Sequence, residues 1–110
     1  MTHYVQEIID FAGKYGLRLS SLDATDVTLL ARLELLPEIF IQVYRNSRKD
    51  KLNLALILGE SRIYGFDSEG GVFHSHPIEA PETHIINDKG PTVEEFILEC
   101  INFAKDRDLL

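Results

Sequence analysis

Between Val27 and Tyr44 the apolar residues of this chain return at every second position in two short runs parted by Pro37, and further short runs set off by turn-forming residues follow as far as His76. A period of two marks a strand with one buried face, and such runs separated by short polar breaks fit antiparallel hairpins. Val27, Leu29, Ala31, Leu33 and Leu35 alternate with Thr28, Leu30, Arg32 and Glu34. After Pro37, Ile39, Ile41 and Val43 alternate with Phe40, Gln42 and Tyr44, a β-branched and aromatic mixture that suits a strand. The polar run 46–51 reads as a hairpin loop, 52–58 as a third strand, Gly59-Glu60 as a two-residue turn and 62–66 as a fourth strand. Asp67-Ser68-Glu69-Gly70-Gly71 reads as a second turn, followed by a short fifth strand ending at the histidines.

The period changes at both ends. Val5, Ile8, Ile9, Ala12 and Tyr15 form a stripe at helical spacing that Gly16 stops, and His3 sits as an exposed residue at the helix start. Thr92 opens a T-x-x-E capping box with Glu95, ahead of the stripe Val93, Phe96, Ile97, Cys100, Ile101 and Ala104. These patterns predict one α+β domain over residues 1–110. Its antiparallel meander of four to five strands is flanked by an N-terminal and a C-terminal helix packed on one face. Residues 77–91, with Pro77, Pro81, Gly90 and Pro91, read as a long irregular segment of the kind that often carries function.

Composition narrows the function classes. A formal charge of −7 with a pI near 4.9 argues against broad attraction to nucleic acid, which needs clustered Lys and Arg, and leaves room for a basic partner. Arg45, Arg48, Lys49, Lys51 and Arg62 are opposed within 45–62 only by Asp50 and Glu60, so a local basic patch is expected there, most simply as a solvated hairpin loop. No run approaches the roughly 18 apolar residues of a membrane span, and the first residues lack the basic start of a signal peptide, so a cytoplasmic protein without membrane contact is expected. Cys100, the single cysteine, lies within the helical stripe as a buried thiol. Tyr64 and Phe66 read as packing residues, and a homodimer is compatible with everything above.

The chemistry concentrates in 74–84, which holds His74, His76 and His84, three of the four histidines. Imidazole can act as acid, base or neutral metal ligand near neutrality. Strand alternation puts His74 and His76 on one face, about 6 to 7 Å apart along the strand. One reading is a zinc site for hydrolysis in which His74 and His76 are joined by His84, Asp67 or Asp88. Another is metal-free RNA cleavage by paired histidines, with Arg62 steadying the phosphate and no cofactor. The third is a noncatalytic interaction module that binds through a sheet edge or its acidic surface.

Two resemblances bear on these readings. Gly71-Val72-Phe73-His74-Ser75-His76-Pro77 resembles the histidine strand of the JAB/MPN metalloproteases, which implies zinc held by an H-x-H pair. His84 and Asn87 stand where that family has serine and aspartate, Asp88 is one residue out of register, and none of Glu34, Glu38 or Glu60 is identified with its general base. Residues 38–105 resemble the TumE-type toxins of toxin–antitoxin modules in the order of their elements. Arg62-Ile63-Tyr64-Gly65-Phe66-Asp67 is followed by a glycine turn, His74 and His76, Pro81, His84 and the helix from Thr92. That resemblance implies a ribonuclease neutralised by a helix-turn-helix antitoxin. It makes His74, His76 and His84 acid/base candidates beside Arg62 and Asp67, with RNA reached through Arg45, Arg48, Lys49 and Lys51. Ser68 stands where the family has asparagine, and near the loop's end, where it has an H-x-H, there is only Thr83 before His84.

Overall fold

The chain folds as α1 (Thr2–Tyr15), β1 (Arg18–Ala24), β2 (Thr28–Leu36), β3 (Ile39–Asn46), β4 (Lys51–Leu58), β5 (Ser61–Glu69), β6 (Val72–His76), β7 (Ile85–Asn87) and α2 (Val93–Asp106). This is a computed structural model, which describes residues 1–78, 85–87 and 89–109. The described strands form one antiparallel sheet in sequence order, β1 to β7, so every hydrogen-bonded neighbour is also a chain neighbour. The α+β class and the terminal helices agree with the sequence. The described strands number seven rather than four to five.

The two extra strands lie at the edges. β1, Arg-Leu-Ser-Ser-Leu-Asp-Ala, exposes every residue except the half-buried Leu19, so it has no apolar alternation to announce it and exists through its ladder with β2. β7 is three residues long and falls inside the proline-bearing stretch, where its pairing with β6 extends the sheet. A second correction concerns Asp67. β5 runs on to Glu69, so Asp67 is a strand residue opposite His74 and only Gly70 and Gly71 make the turn, at φ 57° and 85°. Those left-handed angles suit glycine.

Alternation decides what each face does. Leu29, Ala31 and Leu33 of β2, Ile39, Ile41 and Val43 of β3, Leu54 and Leu56 of β4 and Phe66 of β5 are buried on the side covered by the helices. There they join Ile8 and Ala12 of α1 and Val93, Phe96, Ile97 and Cys100 of α2 in one core. Each fully buried aliphatic or aromatic side chain is worth about 1.5–3 kcal/mol, so this shared core holds the helices on one face. Tyr64 stacks on Phe96 with ring centroids 5.3 Å apart and an interplanar angle of 5°, and its hydroxyl donates to the Glu99 carboxylate. Burial is the main reason its phenol titrates above the usual range, and burial likewise pushes the Cys100 thiol up and leaves it inert.

Local signals fix the helix ends. Gly16 closes α1 in the left-handed conformation at φ 65°. At α2 the Thr92 hydroxyl accepts from the Glu95 N–H at 3.1 Å while the Glu95 carboxylate accepts from the Thr92 N–H at 2.8 Å, completing the capping box. Glu94 also ties α2 to α1, accepting from Lys14 Nζ at 2.6 Å and from the Tyr15 hydroxyl. With both helices on one side, no helix of the described residues lies over the other face of the sheet.

Candidate functional site

One row of cross-strand partners runs across that open face from edge to edge: Asp23, Leu30, Tyr44, Asn53, Asp67, His74 and Ile86. The next row contains Arg32, Gln42, Ala55, Gly65 and His76. His74 and His76 therefore share a face, as their spacing requires, but their surroundings differ. His74 is half-buried beside a pocket, whereas His76 is fully buried at 0% relative exposure.

His76 is held between two charged side chains. Its Nε2 lies 2.7 Å from Asp67 Oδ2, and its Nδ1 lies 3.4 Å from an Arg62 guanidinium nitrogen. A guanidinium can only donate, so Nδ1 accepts and the ring proton sits on Nε2, where it is donated to the carboxylate. The 2.7 Å contact is the strong one, and the 3.4 Å contact is at the outer edge of hydrogen bonding. A second Arg62 nitrogen stands 3.8 Å from Asp67 Oδ2, and the Arg62 and Asp67 side chains are 38% and 26% exposed. The three groups are thus in mutual contact, with the His76 ring fully buried between the other two.

Two local irregularities build this triangle. The β4–β5 register shifts so that Leu56 opposes Tyr64 while Ile57 opposes Arg62, making Ile63 an extra residue in a bulge. A bulge re-aims a side chain, and here Arg62 reaches the open face instead of the helix side. Its stem then crosses Gly65, where a Cβ would stand 3.1 Å from Arg62 Cδ and 3.1 Å from the Leu54 carbonyl oxygen. Glycine in the middle of a strand marks this close approach.

Beside the triangle lies a pocket of about 230 Å³ lined by Lys51, Asn53, Asp67, Glu69, Val72 and His74. Lys51 Nζ is 3.5 Å from Glu69 Oε1. Asp67 Oδ1 and Asn53 Oδ1 are buried oxygens without a hydrogen-bond partner among the described residues, and the two residues oppose each other across β4 and β5. A buried acceptor left unpaired costs about 1–3 kcal/mol, so such a pair in one pocket is unusual.

The structure thus joins Arg62, Asp67 and His76 directly and places His74 against Asp67. His84 and Asp88 lie outside the described residues. Among the described residues no three His, Cys, Asp or Glu side chains gather as a metal-holding group. The basic stretch splits: the Arg45 guanidinium stacks 3.9 Å from the Tyr4 ring centroid on the helix side, Arg48 and Lys49 sit exposed in the β3–β4 loop, and Lys51 pairs with Glu69 on the open face. Asn53 and Gly65 were not foreseen as site residues. Their signals were a lone polar residue in the apolar run Leu52–Leu58 and a glycine inside a strand. No helix is long and apolar enough to cross a membrane among the described residues. No protein-family model, curated protein or solved structure matches the chain.

Proposed function

We propose that the protein is a noncatalytic recognition module that binds a basic protein partner on the open face of its sheet. The observation that carries this reading is the polar row Tyr44, Asn53, Asp67 and His74, set in a sheet whose opposite face is spent on the helices. An acid/base enzyme needs two groups that can exchange protons with a substrate, and the full burial of His76 between Arg62 and Asp67 supports a structural part for it instead. The net charge of −7 favours a basic partner through long-range attraction.

Photo-crosslinking in cells tests this. A benzophenone amino acid at Leu30, on the open face, is expected to trap one discrete protein of basic pI, identified by mass spectrometry, whereas the same group at Leu98, exposed on α2, traps none. No discrete product from Leu30, or the same product from both positions, contradicts the proposal.

A second reading, ribonuclease action of the TumE type with a helix-turn-helix antitoxin as partner, is favoured by one observation. Half-buried His74 lies opposite Asp67 with Arg62 close by, which places an imidazole and a cation on one surface. Its test is direct: purified protein incubated with mixed RNA would leave 2′,3′-cyclic phosphate ends that His74→Ala abolishes. Intact RNA returns the open face to binding alone.

A further inference from the structure

We infer that the pocket between Asn53, Asp67 and His74 receives an arginine side chain of the partner, its guanidinium donating to Asn53 Oδ1 and Asp67 Oδ1. This deepens the recognition reading above and rests on it. The two oxygens are buried and unpaired among the described residues, and their residues are direct cross-strand partners. Facing residues of that kind have their Cβ atoms about 5 Å apart, and a planar fork of several N–H donors can serve two such acceptors at once in a fixed geometry. Acceptors in this state hold a site ready for donors, because their desolvation cost is already met in the free protein and a hydrogen-bonding ligand relieves it.

Charge favours a cation over a neutral donor. Asp67 is formally anionic and lines the pocket, and its Oδ2 already serves the His76 ring and Arg62, which leaves Oδ1 as the oxygen without a partner among the described residues. Arg62 offsets part of that charge, but it stands 3.8 Å away and 38% exposed, where solvent screens it. Lys51 at the rim is drawn to Glu69 at 3.5 Å. The pocket volume of about 230 Å³ accommodates one side-chain head with its last methylenes, and Val72 supplies an apolar wall for that stem.

NMR titration of the full chain with N-acetyl-arginine methylamide tests the inference, with the lysine and citrulline analogues as controls. The expected result is saturable shifts at the Asn53 side-chain amide and the Asp67 and His74 backbone amides, with about ten-fold weaker binding of both controls. Asn53→Ala, which leaves the Arg62–His76–Asp67 contacts in place, is expected to weaken arginine binding about ten-fold. Equal shifts with citrulline, undiminished binding to Asn53→Ala, or no saturable shift at these residues each overturn it. Crosslinking from Leu30 that persists without arginine binding removes only this inference. Loss of both removes the recognition reading as well.

Discussion

His76 Nε2 donates to Asp67 Oδ2 at 2.7 Å on a diagonal, since the backbone partner of His76 is Gly65 and that of Asp67 is His74. His76 on that diagonal is fully buried, while His74 of the same His74-Ser75-His76 stretch is half-buried at a pocket. Two imidazoles of the same strand and face thereby take different work.

Removing the buried ring leaves Arg62 and Asp67 facing a void. His76→Ala is expected to lower stability by about 2–4 kcal/mol, from the lost packing and the abandoned hydrogen-bond partners. His74→Ala at the half-buried position is expected to cost under about 1 kcal/mol. Urea midpoints at constant slope measure both.

Gly65 is required by the Arg62 stem. Gly65→Ala brings a Cβ to 3.1 Å from both Arg62 Cδ and the Leu54 carbonyl, so the arginine must shift and the triangle loosens. The expected loss is about 1–2 kcal/mol, and part of it disappears in an Arg62→Ala background, where only the carbonyl contact remains. A double-mutant cycle with no coupling would show that the stem does not depend on the missing Cβ.

Two other glycines predict opposite signs. A Cβ at Gly90 would fall 1.6 Å from Phe66 Cζ, against the core ring that supports β5. Gly90→Ala is therefore expected to destabilise by about 1–3 kcal/mol. Gly13, inside α1 with nothing within 4 Å of a built Cβ, gains helix propensity on Gly13→Ala, about 0.5–1 kcal/mol. Thermal melts of the two variants should move in opposite directions.

The helix junction gives a pH dependence. The Lys14 and Tyr15 hydrogen bonds hold the Glu94 carboxyl below its usual value of 4.5, and the Thr92 N–H does the same for Glu95. A depressed carboxylate contributes stability that is present above its unfolded pKa and lost as pH falls through the folded value. Stability is expected to drop below about pH 4.5, and Glu94→Gln should flatten part of that drop. Thr92→Ala removes the cap at about 1 kcal/mol, read as the neutral-pH shift in urea midpoint.

Much of the frame is visible in the chain itself. The alternation in Thr28–Leu36 and Ile39–Asn46, the capping box at Thr92 and the shared face of His74 and His76 follow from local periodicity and side-chain chemistry. β1 and β7 were hidden because neither shows an alternating apolar face, so their strand character comes from pairing with a neighbour. The site was half visible. Arg62, Asp67 and His76 could be named from their types, but a one-residue bulge at Ile63 and a missing Cβ at Gly65 decide that they interlock, and neither has a periodic signature. In the sequence Asp67 reads as a turn residue because Gly70 and Gly71 follow closely, whereas the ladder with Lys51–Leu58 carries β5 past it.

The state of the His76 ring separates a structural strut from an acid/base group. If His76 is a fixed strut between Arg62 and Asp67, nitrogen NMR of the ¹⁵N-histidine-labelled protein near pH 8 should show a single tautomer, protonated at Nε2 and bare at Nδ1. A proton on Nδ1, or a rapid average of the two tautomers as in a solvent-exposed imidazole, would contradict the account and restore His76 to the acid/base candidates.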